Sequence, residues 1–357
     1  MSETMLPFVT VVVPVLNEQG YIGECLASLL AQGNDWAGGS SFEILVMDGG
    51  STDGTREIVA ALQDANSCIK LVHNPKRLQS AAMNLAARIA SPRATVLLRA
   101  DAHALYPPDF LAICVRALME TGAASVVVPM VTRGDAGFQH AVAAAQNSLL
   151  GNGGSAHRRA CASRFVEHGH HAAFDRDFFL GIGGYDETFS HNEDAEYDHR
   201  VALAGGRVWM CGDVTLSYFP RRDPWGLARQ YFYHGAGRAR TLLTHGMRPH
   251  LRQLLPVLML VGSIGGLLLT PVHIAFALIP LAYCLMCMAS GAALALRGRD
   301  PWLLAIGPAA MIMHLSWATG FIWRCLGLMR LPVRQGGSHV VRLVPTRPII
   351  GGRTRPG

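Results

Sequence analysis

The chain is predicted to be an α/β protein with a doubly wound, mostly parallel sheet, followed by an interfacial helix and membrane helices. Three observations carry that prediction. Short apolar runs alternate with segments of helical period over the first hundred residues, and each run ends in a polar or glycine-rich turn. Apolar residues also gather between Leu254 and Trp323, where Asp300 is the only acidic residue. This uneven distribution explains why 50% of the 357 residues are hydrophobic and only 16% are charged. Such values are high for a soluble enzyme but expected for a soluble domain joined to membrane segments.

Phe8 to Val15 (FVTVVVPV) is β-branched and apolar throughout, as in a strand buried on both faces. Asn17 and Glu18 follow on the turn into a helix carrying Ile22, Leu26, Leu29 and Leu30. A second strand, Phe42 to Met47, runs into DGGSTDGT, with Asp48 at its carboxyl end and Ser51, Thr52 or Asp53 able to cap the next helix. The third strand is Ile69 to His73, followed by a helix from about Ser80. The fourth, Thr95 to Leu98, delivers Asp101 and His103, which face one side together if the chain remains extended. In sheets of this kind ligands collect at the carboxyl ends of the strands. Taken singly, such turns are ordinary punctuation, and His103 has a second reading as a donor to a neighbouring backbone group.

Further on, Pro108 to Glu120 is predicted to be helical and Ser125 to Val131 a strand. A Gly- and His-rich stretch follows, with His157, His168, His170 and His171. Their spacing does not match a structural zinc pattern, and a flexible substrate loop accounts for the glycines. In IGGYDETFSHNEDAEYDHR the glycines make a turn, and Glu193 and Asp194 begin a helix that ends at Gly205 and Gly206. Acidic residues are favoured in a first helical turn whatever their function.

The segments VVVPVLNE, VMDGGSTDGT and LLRADAH, in this order on successive strand ends, resemble the family 2 glycosyltransferases of the GT-A fold. The resemblance extends over about the first 220 residues. It implies that Pro14, Asn17, Glu18 and Asp48, with Asp53 as a further candidate, hold the uridine of a nucleotide sugar. It also implies that Asp101 and His103 hold a divalent cation against the donor diphosphate. The family's usual motif there is Asp-x-Asp, and the imidazole in its place favours Mn²⁺ over Mg²⁺. The Glu-Asp pair after Gly-Gly-aromatic-Asp implies that Asp194 is the general base, with Glu193 shaping the site. DAH in place of Asp-x-Asp, together with the Gly/His-rich loop, resembles a narrower branch, the ExoA-like enzymes of succinoglycan-type exopolysaccharide synthesis. In that branch the loop is thought to border the acceptor site.

Arg221 to His250 alternates aromatic residues with arginines, as in a helix lying in a bilayer interface. The resemblance places here the element that closes over the diphosphate, implicating Arg229, Gln230 and Arg238, although the family's Gln-x-x-Arg-Trp is not intact. Leu254 to Leu296 is long enough for two spans, divided near Thr270 and Pro271, and Gly262 and Gly266 fit packing within that hairpin. Flanking arginines place both ends of the pair in the cytosol. A third apolar segment, Trp302 to Trp323, is expected to be re-entrant or interfacial and broken at Gly307-Pro308, because a full crossing would put the Arg-rich tail outside. The expected divisions are 1–222 catalytic, 223–252 interfacial, 253–325 membrane-embedded and 326–357 a basic cytosolic tail.

The net charge of +6 lies beside these apolar segments, which points to an anionic membrane surface, and no nucleic-acid-binding motif is present. Eight scattered cysteines fit free thiols in a reducing compartment. No signal-peptide pattern opens the chain, so the first domain is expected to be cytoplasmic at the inner membrane. The function implied is inverting transfer of a sugar, glucose being the expected one, from a UDP-sugar to an undecaprenyl-diphosphate-linked glycan in exopolysaccharide assembly, alongside other assembly proteins. Two alternatives are a processive polysaccharide synthase and an inactive nucleotide-sugar-binding scaffold.

Overall fold

The structure, a computed structural model, describes residues 6–32, 42–134, 136–152, 162–298 and 300–328. Its first part alternates as expected: β1 (Phe8–Val15), α1 (Ile22–Leu30), β2 (Phe42–Asp48), α2 (Thr55–Ala65), β3 (Ile69–His73), α3 (Gln79–Ile89), β4 (Ala94–Arg99) and α4 (Phe110–Thr121). β3, β2, β1 and β4 lie side by side and parallel. Pairing of Val15 with Asp48 brings the carboxyl ends of β1 and β2 together. Val11 and Val13 pack on one face of the sheet with α1 and α4, and Val12 packs on the other with α3. That two-sided burial is why β1 has no polar alternation.

The next strands depart from the expectations. The run from Ser125 divides into β5 (Ser125–Val128) and β6 (Met130–Thr132). Pro129 between them has no N–H to continue a ladder, and its carbonyl accepts from Leu216 N at 3.0 Å. After α5 (Gly137–Asn147) and α6 (Leu149–Asn152), the Gly/His-rich stretch is not a loop in its described part. It forms β7 (Arg164–Val166), β8 (His170–Asp175) and α7 (Arg176–Gly181), while His157 lies outside the described residues. β8 runs antiparallel between β4 and β5 at the centre of the sheet, which places His170 and His171 beside the carboxyl end of β4. α8 (Glu193–Leu203), β9 (Val208–Met210) and β10 (Leu216–Tyr218) follow; β9 joins the main eight-stranded sheet and β10 pairs with β6 in a second one.

The helix α9 (Pro224–His245) is unbroken, so its glycines do not interrupt it. They are contact points. A Cβ at Gly235 would run into the Trp317 carbonyl oxygen, and one at Gly237 would come within 2.7 Å of the His191 carbonyl oxygen. α10 (Leu251–Leu269) and α11 (Leu278–Gly298) form the expected hairpin, closed by Gly266, whose Cβ would lie 2.6 Å from the Phe276 carbonyl oxygen. α12 (Ile306–Cys325) lacks the expected break at Gly307-Pro308. Pro308 falls in the first helical turn, where its missing N–H has no partner to lose. By length and composition three segments could cross a membrane: Leu251–Leu269, Ile274–Leu296 and Pro301–Cys325. Of the expected divisions, the tail beyond residue 328 lies outside the described residues.

Candidate functional site

One cleft runs along the carboxyl ends of β1, β2 and β4 and continues under α9. Pro14, Glu18, Asp101, His103, Glu193, Asp194, Arg229, Gln230 and Arg238 all line it. Asn17, Asp48 and Asp53 lie just behind the wall, where they knit two turns together. Asn17, at φ +59°, donates its N–H to Ser51 Oγ and accepts from Thr52 N through Oδ1 at 2.8 Å. Asp53 accepts from Gln19 N and Thr55 N, and Asp48, 2% exposed, accepts from Ser51 N at 2.9 Å. Asp48 also pairs with Arg56 at 3.6 Å. The two turns therefore form one cradle, in which Gly50 at φ +88° takes a conformation that L side chains rarely adopt.

Asp101 and His103 do reach the same cleft, though not by strand alternation. β4 ends at Arg99, and the chain turns so that Ala104 N donates to Asp101 O at 3.2 Å, while Asp101 N donates to Tyr106 Oη at 2.6 Å. His103 directs Nδ1 to Glu18 Oε1 at 3.2 Å, so its partner is a carboxylate of the β1 turn and not a neighbouring backbone group. With Nδ1 engaged by a carboxylate, the ring has the hydrogen-bond partner usual for a metal-ligating histidine, and it lines the cleft. One carboxylate and one such imidazole would fit a divalent cation whose other ligands come from outside the protein. Among the described residues no three His, Cys, Asp or Glu side chains converge to hold an ion unaided.

Two further side chains complete this end, and the sequence reading did not single them out as site residues. Arg99 donates from Nε to Asp101 Oδ1 at 3.2 Å, and His170 Nε2 approaches Asp101 Oδ2 at 3.5 Å. Burial alone would raise the Asp101 pKa, but Arg99, His170 and His103 outweigh it and hold the carboxyl well below the usual range. Burial pushes His170 down to about 4, so this ring is neutral at pH 7 and Arg99 carries most of the compensation. Arg99 is itself 8% exposed and feels Tyr185, Glu193 and Asp194 as well as Asp101. An arginine closing an apolar strand was the available signal. The signal for His170 was its place in a strand, which the reading of the stretch as a loop concealed.

Glu193 and Asp194 open α8 behind Asn192, whose φ of +66° turns the chain into the helix. They behave oppositely. Burial and the adjacent Asp194 charge push Glu193 up to about 7. Burial would raise Asp194 too, but His168, His171, Arg99 and the Ala195 N–H, which donates at 2.7 Å, hold it low and ionised. One turn on, Asp198 accepts from His168 Nδ1 and His171 Nε2, both at 2.7 Å, and His171 Nδ1 meets Tyr185 Oη at 2.8 Å. Two of the clustered histidines thus brace α8 beneath the Asp194 carboxylate.

On α9, Gln230 Nε2 donates to Tyr218 Oη at 3.0 Å, and Arg229 lies over the Tyr233 ring. Arg221 lines the cleft as well; burial, Arg221 and Arg229 lower the His191 pKa, whereas the hydrogen bond to Glu18 raises that of His103 despite Arg221. The cleft thus has a polar cradle and a turn suited to a cation at one end. An ionised carboxylate stands at its middle, with guanidiniums along the roof.

The profile of the glycosyl transferase family 2 matches residues 10–182. The succinoglycan biosynthesis protein ExoA of Rhizobium meliloti (strain 1021) is 42% identical over 315 residues, spanning 88% of this chain and 93% of that protein. A dolichyl N-acetyl-alpha-D-glucosaminyl phosphate 3-beta-D-2,3-diacetamido-2,3-dideoxy-beta-D-glucuronosyltransferase of Methanococcus voltae is 24% identical, over 65% of this chain and 73% of that one. Among solved structures, the mannosyltransferase PcManGT from Pyrobaculum calidifontis, in complex with GDP-Man and Mn²⁺, superposes with a TM-score of 0.57 at 23% identity. That match covers 91% of this chain and 88% of the mannosyltransferase, and it shows a shared fold.

Proposed function

The chain belongs to glycosyltransferase family 2, and from that premise we propose that it is a membrane-associated, inverting enzyme of exopolysaccharide assembly. It moves one sugar, glucose, from a UDP-sugar to a lipid-linked glycan carried on undecaprenyl diphosphate. The catalytic domain faces the cytoplasm at the inner membrane. The observation that carries this reading is the single cleft in which Arg99 sits among Asp101, Glu193 and Asp194.

In this reading Pro14 and Glu18, backed by Asp48 and by the cradle that Asn17 and Asp53 hold together, receive the uridine. A uracil presents an N–H and a ribose presents hydroxyls, and carboxylates accept from both. Asp101 and His103 would hold the cation, Mn²⁺ in preference to Mg²⁺, and its charge would there offset that of the donor diphosphate. Arg229 and Gln230 close over that diphosphate from the roof. Asp194, ionised at neutral pH, takes the proton from the acceptor hydroxyl on the face opposite the leaving group. Glu193, largely protonated below pH 7, adds no second negative charge beside it.

The 42% identical relative carries the name succinoglycan biosynthesis protein, which supports exopolysaccharide as the destination. The mannosyltransferase was solved with GDP-Man and Mn²⁺, so a guanine donor is the competing outcome. The deciding experiment incubates the purified protein with a panel of UDP-sugars and GDP-mannose, Mn²⁺ and membrane lipid extract, followed by mass spectrometry of the lipid fraction. A hexose added to a diphosphate-linked glycan from a UDP donor is expected. Transfer from GDP-mannose alone, or to soluble glycans alone, would overturn the reading.

A further inference from the structure

The cleft does not end at the base. Beyond Asp194 its wall passes to Arg238 on α9 and Arg252 at the start of α10, and then to Met259, Met286 and Trp317 on the three apolar helices. The chemistry along this path changes from carboxylate, through two guanidiniums, to thioethers and an indole. Arg238 stands where the polar part meets the apolar part. Its Nε is buried and has no hydrogen-bond partner, a costly state for a guanidinium donor. Removal from water and the like charge of Arg252 both push its pKa down. The Asp194 and Glu167 carboxylates also act on Arg238 but leave its Nε unpartnered. Two neighbouring cations with an unused donor form a site for an anion, and the apolar wall beside them suits a hydrocarbon chain.

We propose that Arg238 and Arg252 hold the phosphorylated head of a polyprenyl-type lipid acceptor, whose tail lies against the wall formed by α10, α11 and α12. This rests on the reading of the chain as a glycosyltransferase with a lipid-linked acceptor, and it moves Arg238 from the donor diphosphate to the acceptor. Asp194 acts on Arg238 electrostatically, and both line the cleft. In this arrangement the sugar lies between the lipid head at Arg238 and the hydroxyl that meets the base. The arginines of the roof divide accordingly. Arg221 and Arg229 act on His191, and Arg221 also on His103, at the donor end, whereas Arg238 carries the unpartnered Nε and feels the charge of Arg252 at the acceptor end.

The test uses the full chain in phosphatidylcholine nanodiscs with Mn²⁺. Equilibrium binding is measured for geranylgeranyl diphosphate, inorganic diphosphate, geranylgeraniol and UDP. Geranylgeranyl diphosphate should bind at least tenfold tighter than either of its halves. Arg238→Gln should weaken it at least tenfold and change UDP affinity less than twofold. Met286→Trp, which fills the apolar wall, should weaken geranylgeranyl diphosphate and leave inorganic diphosphate unchanged. Equal loss of UDP in Arg238→Gln would return this arginine to the donor and overturn the proposal. So would inorganic diphosphate binding as tightly as the prenyl compound, or competition by phosphatidylglycerol at equal strength. If geranylgeranyl diphosphate does not bind while UDP binds and sugar is still transferred, this inference fails and the glycosyltransferase reading stands. Loss of UDP binding in the wild-type protein would remove both.

Discussion

Adjacent carboxylates at the start of α8 have opposite charge states because they meet different neighbours. Asp194 faces His168, His171 and Arg99, whereas burial and the Asp194 charge dominate at Glu193. Asp194→Asn keeps the shape and removes the proton acceptor, so kcat should fall by about 10² to 10⁴ with UDP-sugar affinity unchanged in a binding titration. Normal turnover in that variant would remove Asp194 as the base. For Glu193 the folded pKa of about 7 lies above that of an unfolded glutamate. Between the two values the folded protein keeps a proton that the unfolded chain has released, so this group's contribution to stability declines as pH rises and is fully lost above about pH 7. Glu193→Gln removes the penalty and should stabilise the protein at pH 8 by about 1–3 kcal/mol. The gain should vanish near pH 4.5, and thermal melts in detergent at the two pH values would show it. At the other end of the cleft, His103→Ala should raise the Mn²⁺ concentration needed for half-maximal transfer. An unchanged metal titration would leave Asp101 without His103 as a ligand.

Helix α8 is held from both sides. Beneath it lie Phe174, Phe179 and Tyr185, whose rings meet one another and the helix's own Tyr197 at centroid distances of 5.2 to 6.0 Å. Above it, α9 is fastened by His245 to Glu196 at 3.1 Å and by Arg240 to the Thr188 carbonyl at 2.6 Å. α9 in turn rests on α12 through glycines, since a Cβ at Gly320 would run into the Phe232 carbonyl oxygen. Gly320→Leu should therefore force the helices apart and destabilise the protein by about 1–3 kcal/mol in a detergent melt, with transfer falling as the roof loosens. Gly265→Ala is the control, because a Cβ there meets nothing within 4 Å. Its melting temperature should stay level or rise. The glycines of α9 are visible in the sequence, but their role, close approach of two backbones, depends on a partner about 80 residues away and cannot be seen in either segment by itself.

In the whole molecule the catalytic domain and the apolar helices share one structure. The middle of α12 is held by catalytic-domain elements: His314 meets the Leu150 carbonyl at 2.7 Å, and Met313 packs with Ala141, Val142 and Ala145 of α5. A helix gripped there by a domain outside the bilayer would lie along the membrane face, whereas α10 and α11 have few buried side chains and suit a crossing hairpin. In a cysteine-free background, Val272→Cys at the hairpin tip should therefore be labelled by an impermeant thiol reagent on intact cells, and Leu328→Cys should be protected. Labelling of Leu328→Cys from outside would mean that α12 crosses. The sequence alone determined the parallel βα core, the strand-end turns and the apolar hairpin. Each is encoded locally, by β-branched runs, turn residues and uninterrupted apolar length. Only the tertiary structure decided that a supposed loop is the central strand β8, that Arg99 and His170 flank Asp101, and that Arg238 and Arg252 line one cleft. Those outcomes depend on residues far apart in the chain being packed together, where burial and neighbouring charge set the protonation of each group.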